Sequence, residues 1–285
     1  MSESSGAIGV VGGGTMGIGI AYVFAAAGST VTIVEPDEPR RSGLRTQIVE
    51  RAEKSVARGK LTAELAAHVA DTLRVVADID DLDVGLDLVV EAVPEIVDLK
   101  HAVLRKIEAR EPKLIGSNTS ALAIGLLAEA LAHPDRFIGM HFFNPVWAMP
   151  LLELIAGDHT SDETVSAAQA LGAQIEKETI LVRDVPGFAT SRLGVALGLE
   201  AIRMVEDGVA SAEDIDRAMV LGYRHPMGPL RLTDLVGIDV RFHIATQLSE
   251  SLGPRFEPPQ LMREMVERGD LGQKTGRGFF DWSEQ

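Results

Sequence analysis

The sequence predicts an α/β domain with a mostly parallel sheet, followed by an all-α domain, and three observations carry that prediction. Short apolar runs alternate with helix-like stretches from Ala7 to Val182, the pattern of parallel strands joined by crossover helices. A glycine cluster, Gly12-Gly13-Gly14-Thr15-Met16-Gly17, follows the first run at once and opens the first helix. After Asp184 the strand-like runs disappear, and nearly everything to Gln285 reads as helix. Asp184-Val185-Pro186-Gly187-Phe188 reads as the boundary, which gives domains 1–184 and 185–285.

The first domain is built in order. Ala7 to Val11 reads as a buried parallel strand, Thr15 to Ala27 as helix ending at Gly28, and Thr30 to Val34 as a second strand ending in Glu35. The cluster fits G-x-G-x-x-G through Gly12, Gly14 and Gly17, with Thr15 and Met16 inside it. Placed between strand and helix, glycines permit a tight turn and close approach of a pyrophosphate, and the helix N-terminus offers N–H groups to that anion. An acid at the second strand end suits the ribose hydroxyls of NAD and repels the extra phosphate of NADP. The spacing therefore predicts a Rossmann-type NAD site at Gly12, Gly14, Thr15, Met16, Gly17 and Glu35. The plain alternative is a turn that merely packs helix on strand.

Pro36 to Lys60 reads as a basic helix in an acidic chain, with Arg51, Lys54 and Arg58 spaced to share one face. That face is either solvated or a grip for a phosphorylated handle on the substrate. Thr62 caps a helix to about Asp71. Leu73 to Ala77, Leu86 to Val90 and Lys113 to Gly116 read as strands, with a helix from Val97 to Arg110. Ser117-Asn118-Thr119-Ser120 closes the last of these strands, where ligands bind in a doubly wound sheet; capping a helix near Leu122 would explain Ser120 equally well. Thr160-Ser161-Asp162-Glu163 has the form of a capping box for a helix to about Ala173, and Glu178 to Val182 is the last strand.

His141-Phe-Phe-Asn-Pro lies between a strand from Arg136 to Met140 and another from Leu151 to Ile155. Asn144-Pro145 suits a turn there. His141 and Glu153 can then face each other, the carboxylate fixing the imidazole tautomer while the other ring nitrogen exchanges a proton. A strand-capping His and a ladder Glu would look the same. In the second domain, helices are expected at Gly187 to Asp207, from Ser211, and around Leu230 to Leu235, Asp239 to Ser251 and Pro259 to Glu267.

Composition narrows the function classes. The net charge of −15 disfavours nucleic acid or an anionic membrane as partner. The absence of cysteine excludes disulfides and thiolate sites and suits the cytoplasm. Met1 to Gly6 lacks a signal-peptide pattern, and Ile18 to Ala27 is too short to span a bilayer. No residue cluster has metal-ligand spacing. The tail from Gly272 to Phe280 lacks Walker spacing, and the Asp78–Asp87 acids read as a solvated loop.

Together, GGGTMGIGIA from Gly12, EAVPE from Glu91, SNTS from Ser117, HFFNP from His141, DVPGF from Asp184, HPMGPLRLTDLVGID from His225 and KTGRGFF from Lys274 resemble the 3-hydroxyacyl-CoA dehydrogenase family over almost the whole chain. The resemblance implies NAD-dependent interconversion of L-3-hydroxyacyl-CoA and 3-ketoacyl-CoA. It implies His141 as base, Glu153 as its partner and Ser120 at the reacting oxygen, with Asn144 and Lys274 beside the nicotinamide and Glu91 at the cofactor. It also implies an acyl-CoA grip on the basic helix, Arg58 matching best with Arg51 and Lys54 beside it, and Trp147 either in the acyl pocket or in the core. Ser191 stands where the family carries Asn, which touches substrate preference more than reaction type. Relatives acting on free 3-hydroxy acids such as carnitine or gulonate share most of these motifs, and a non-catalytic NAD-binding protein is the third reading. A homodimer through the C-terminal helices is expected, because so small an apolar helical domain cannot easily bury itself.

Overall fold

The computed structural model describes residues 6–283. Of the polar start read as lacking a signal peptide, all but Gly6 lies outside them. The chain divides into two compact units, one up to Asp184 and one from Val185 onwards.

The first unit alternates strand and helix: β1 (Ala7–Val11), α1 (Thr15–Ala26), β2 (Thr30–Val34), α2 (Glu38–Ala57), α3 (Ala63–Thr72), β3 (Arg74–Val76), β4 (Leu88–Glu91), α4 (Val97–Glu108), β5 (Ile115–Ser117), α5 (Ile124–Ala128), β6 (Phe137–Phe142), β7 (Leu151–Ala156), α6 (Asp162–Gln174) and β8 (Glu178–Arg183). One eight-stranded sheet runs β3-β2-β1-β4-β5-β6-β7-β8. Every neighbouring pair is parallel except β6 and β7, which are antiparallel with His141 opposite Glu153. β1, β4 and β6 are buried along nearly their whole length, because helices cover both faces of a parallel sheet.

Several boundaries differ from the sequence expectation for local reasons. α2 spans Glu38–Ala57 rather than Pro36 to Lys60: Asp37 caps its start by accepting from the Arg40 N–H, and Arg58 is already its C-cap. The helix expected near Leu122 begins at Ile124, because Thr119 Oγ1 holds the Ala121 and Leu122 N–H groups in a turn. Ser161 rather than Thr160 caps α6; the Thr160 hydroxyl donates instead to the Phe137 carbonyl. Asp78 to Asp81, read as open loop, forms a single 3₁₀ turn closed by a capping box between those two acids.

The second unit is helical: α7 (Thr190–Glu206), α8 (Ala212–Gly222), α9 (Pro229–Val236), α10 (Ile238–Leu252) and α11 (Gln260–Arg268). α7 begins at Thr190 and not Gly187, because Gly187 and Phe188 have φ of 74° and 49°, outside a right-handed helix. Two buried aspartates tie this unit together. Asp216 of α8 accepts from the Leu230 and Arg231 N–H groups and so caps α9 from outside, although burial pushes its carboxyl above the usual range against those two bonds. Asp234 accepts from the N–H groups of Phe279 and Phe280 and from Trp282 Nε1, pinning the C-terminal tail.

Candidate active site

The carboxyl ends of β1 and β2 form the first part. Gly12 has φ 113°, and a Cβ there would stand 2.6 Å from the Ala92 carbonyl oxygen. At Gly17 a Cβ would lie 1.8 Å from the Gly12 carbonyl oxygen, so only glycine lets α1 start this close to the turn. A Cβ at Gly14 would meet nothing within 4 Å, which leaves the loop's outer side open. The resulting groove, about 660 Å³, is lined by Gly12 to Met16, Glu35, Arg40, Ala77 to Ile79, Ala92 to Pro94, Leu99 and Lys106. Glu35, 4 % exposed, is held by its neighbours: Oε2 accepts from Gly13 N at 2.9 Å, Oε1 accepts from Asp37 N at 2.9 Å, and Arg40 Nη1 lies 3.4 Å from Oε2. An apolar-walled slot with a helix N-terminus at one end and a fixed carboxylate beside it fits an adenosine diphosphate carrying free ribose hydroxyls.

The second part lies at the reversal of the sheet. His141 Nδ1 is 2.8 Å from Glu153 Oε2, with His141 7 % exposed and Glu153 fully buried. Their ladder register brings them together, so no loop has to hold them. The ring of Phe143 packs on the imidazole at 4.4 Å between centroids. A carboxylate only accepts, so the bonded Nδ1 carries the hydrogen and Nε2 is the acceptor nitrogen of the neutral ring.

The third part was not expected from the sequence. Lys100 of α4 is fully buried, and its ammonium donates to both carboxylate oxygens of Glu91, at 2.7 and 2.9 Å, and to the Val93 carbonyl. Ser117 Oγ donates to Glu91 Oε2 at 2.6 Å. Glu95 lies 3.4 Å from the same ammonium and accepts from Ser120 N, Ser120 Oγ and Thr119 Oγ1. Asn118 Oδ1 accepts from Phe142 N, next to His141. Ser120 is therefore set by a carboxylate that a buried ammonium orients. Glu91, expected at the cofactor, is instead a buried anchor: its oxygens are engaged, and the acid of that motif reaching the surface is Glu95. A lysine inside an otherwise surface-like helix gave no sign of this, since burial depends on what the helix packs against.

A separate cavity of about 910 Å³ is lined by Tyr22, Arg51, Ser55, Arg58, Lys60, Trp147 and Lys177, among others. Arg51 stacks over the Trp147 ring at 3.9 Å, and Tyr22 meets that ring edge-on. Trp147 is 37 % exposed, so it walls this cavity and is not a core aromatic. Lys177 donates to the carbonyls of Val146 and Met149, and burial pulls its ammonium below the usual lysine range, Glu176 opposing weakly. Lys54, grouped with Arg51 and Arg58 by spacing, is not at the cavity; it pairs with Glu50 one turn back, and Arg58 lies beyond the end of α2.

Comparison with known proteins agrees with this arrangement. Residues 7–185 match the model for the NAD binding domain of 3-hydroxyacyl-CoA dehydrogenase, and residues 187–282 match its C-terminal domain. The chain belongs to the 3-hydroxyacyl-CoA dehydrogenase family. A 3-hydroxybutyryl-CoA dehydrogenase of Mycobacterium tuberculosis is 40 % identical over 99 % of this chain and 100 % of its own. The mitochondrial hydroxyacyl-coenzyme A dehydrogenase of Sus scrofa is 37 % identical over 96 % of this chain and 90 % of its own. The crystal structure of (S)-3-hydroxybutyryl-CoA dehydrogenase from Ralstonia eutropha superposes with a TM-score of 0.93, at 39 % identity, covering 99 % of this chain and 100 % of that one.

In this family member the first unit is thus the NAD-binding domain. Asn144 is exposed, at the cis peptide bond to Pro145. Ser191 and Lys274 belong to the second unit. Ser191 is the second residue of α7 and half-buried, and Lys274 Nζ lies 2.6 Å from both oxygens of Asp239. Among the described residues no group of three or more His, Asp or Glu is placed to hold a metal, and no helix is long and apolar enough to cross a membrane.

Proposed function

We propose that this dehydrogenase interconverts L-3-hydroxyacyl-CoA and 3-ketoacyl-CoA with NAD. The observation that carries the reading is the buried His141–Glu153 pair at 2.8 Å. In oxidation, Nε2 of His141 takes the proton of the substrate hydroxyl as the carbonyl forms. Glu153 stabilises the imidazolium created by that step. In reduction, His141 donates to the ketone oxygen. Bound NAD supplies the acceptor for the hydride leaving C3. The glycine loop and the N-terminus of α1 would receive its pyrophosphate, and Glu35 its adenosine ribose. Ser120, fixed by Glu95, would hold the reacting oxygen; by the resemblance Ser191 would add a substrate contact, and Asn144 and Lys274 would lie on the nicotinamide side. Acid–base help of this kind is worth roughly 10²–10⁴-fold, with positioning supplying more.

The basic cavity with Arg51, Arg58, Lys60 and Lys177 supports a CoA handle over a free acid, since partly enclosed cations favour a phosphorylated group. The lack of cysteine is in keeping with a cytoplasmic enzyme. Exposed Leu193, Val209, Leu221 and Tyr223, each more than 60 % accessible, support a homodimer formed through the helical unit. The deciding experiment follows NADH oxidation with acetoacetyl-CoA against NAD reduction with carnitine and gulonate. Turnover of the thioester is expected; turnover of a free acid alone would move the chain to another substrate class, and NADH binding without turnover of any of them would make it a non-catalytic binder.

A further inference from the structure

The connection between β6 and β7 is held from outside by one side chain. The Ala148 and Met149 N–H groups both donate to the Pro145 carbonyl, at 2.9 and 3.1 Å, which closes a single helix-like turn. A turn of this kind leaves its last carbonyls without partners of its own. Lys177 answers them: its ammonium donates to the carbonyls of Val146 and Met149, at 2.6 and 2.5 Å, as a cation answers a helix C-terminus. The lysine's backbone is fixed on either side. Its own N–H donates to the Gly172 carbonyl, and the next residue, Glu178, donates to the Pro150 carbonyl and opens the ladder of β8 with β7. Two of the three ammonium hydrogens are thus engaged by the chain itself, although Lys177 lines the cavity of Arg51, Arg58 and Lys60.

The residue set by this clamp is Trp147, which lies between the two held carbonyls. Val146 fixes its near side. It is buried in the core, and a Cβ on Gly19 of α1 would stand 2.7 Å from its Cγ2, so α1 admits it only by carrying no side chain there. The Trp147 ring turns to the cavity, with the Arg51 guanidinium over it at 3.9 Å. Tyr22 meets the ring edge-on at 6.4 Å, and its hydroxyl donates to Ser55 Oγ, one turn beyond Arg51 on α2. A tryptophan face carrying a guanidinium is a flat cationic surface, and that chemistry suits a nucleobase. Arg58 and Lys60, both exposed at the same cavity, suit phosphates.

We propose that Lys177 is a positioning residue for substrate recognition: it holds Trp147 beneath Arg51 as a shelf on which the adenine of the CoA handle stacks. This rests on the function proposed above, in which the cavity takes that handle. Lys177 acts through Trp147. Without the ammonium, the carbonyls of Val146 and Met149 lose their donors, the turn loosens and the ring leaves Arg51. The effect stays with the handle, because His141 and Glu153 are aligned by the β6–β7 ladder and not by this turn. A direct contact of Lys177 with phosphate is the other reading, and the two bonds to backbone carbonyls argue against it.

The test uses the intact protein and two thioesters with the same reacting end, acetoacetyl-CoA and the N-acetylcysteamine thioester of acetoacetate, of which only the first carries a nucleotide. Wild-type KM is expected to be about tenfold or more lower for acetoacetyl-CoA. Lys177→Met and the milder Lys177→Gln should raise that KM about fivefold or more, while kcat and the KM of the truncated thioester stay within about twofold. Trp147→Leu should show the same split, and adding Lys177→Met to it should change KM by less than about twofold. A second readout needs no change at Lys177: adenosine 3′,5′-bisphosphate should quench tryptophan fluorescence in the wild type and not in Trp147→Leu, where Trp282 remains. An absence of quenching in the wild type overturns the shelf. An unchanged KM in the Lys177 variants, or an equal rise for both thioesters, overturns the positioning role. Losses that multiply in the double variant make Lys177 a phosphate contact and overturn it too. Turnover of both thioesters with equal KM defeats this inference alone; if neither is turned over, the proposed function fails with it.

Discussion

The two units bury charge in different ways. In the first, Lys100 and Glu91 are both 0 % exposed and answer each other directly, with Ser117 and the Val93 N–H completing the carboxylate's shell. In the second, Asp234 at 1 % exposure is answered only by the N–H groups of Phe279, Phe280 and Trp282. Arg241 has neither kind of answer at its Nε. The His141–Glu153 pair is a further case, a buried carboxylate answered by an imidazole nitrogen at 2.8 Å. The contrast separates the means: the first unit answers a buried carboxylate with a buried ammonium, and the second answers one with backbone and indole N–H groups.

The comparison can be broken most severely at Lys100. Lys100→Met leaves Glu91 buried without its cation and is expected to cost about 3–5 kcal/mol, read as a loss of stability in urea unfolding. Adding Glu91→Gln should recover part of that loss; a single variant as stable as wild type would show that the pair is not needed. His141→Gln should behave oppositely, lowering kcat by about 10²-fold or more while NADH still binds and the unfolding midpoint barely moves. Near-normal kcat would remove the base from the mechanism. Asp234→Asn keeps the shape but turns one acceptor into a donor facing N–H groups, so a stability loss of about 1–3 kcal/mol is expected. An unchanged Tm would deny the tail its anchor.

Two weaker effects sharpen the picture. The fixed carboxylate of Glu35 should give NADH at least a tenfold advantage over NADPH in kcat/KM, roughly 1.4 kcal/mol, and equal use of both would sink that assignment. The smallest effect concerns Lys274 and Asp239. Burial raises the Asp239 carboxyl, but the Lys274 bond and the Val240 N–H outweigh it and hold the group below its ordinary value. A depressed carboxyl contributes stability above its ordinary titration range and loses it as pH falls through the lower folded value. Lys274→Met should therefore cost at most about 1 kcal/mol at neutral pH, because both side chains are partly exposed, and progressively less as the medium is acidified. A pH-independent difference in stability would contradict this account.

Local patterns were the legible part. β1, the glycine turn, α1 and β2 follow from apolar runs and glycine spacing, and the residues at the ends of those elements are the ones lining the nucleotide groove. His141 and Glu153 were also legible, because two short strands joined by a turn leave few registers. What the sequence hid depends on packing between distant elements. Lys100 looks like any helical lysine until α4 covers β4. Lys54 and Arg58 share a face only if α2 continues, and it stops at Ala57. Arg241 is an ordinary-looking residue of the helix expected from Asp239 to Ser251, and its burial shows only once Gly194 of α7 is beside it.

The antiparallel step between β6 and β7 has a consequence for how this chain can change. The pairing of His141 with Glu153 is set by four consecutive ladder positions, Gly139–Ile155 through Phe142–Leu152, and β7 is gripped on its other edge by β8 over six more. The connecting segment from residue 143 to 150 does not determine that alignment. Substitutions at Trp147, Ala148 and Met149 can remodel the cavity they border while the imidazole and carboxylate stay opposed. Variation at the rim is thereby uncoupled from the ladder, and a library randomised at Trp147, Ala148 and Met149 would explore recognition while His141 and Glu153 stay opposed.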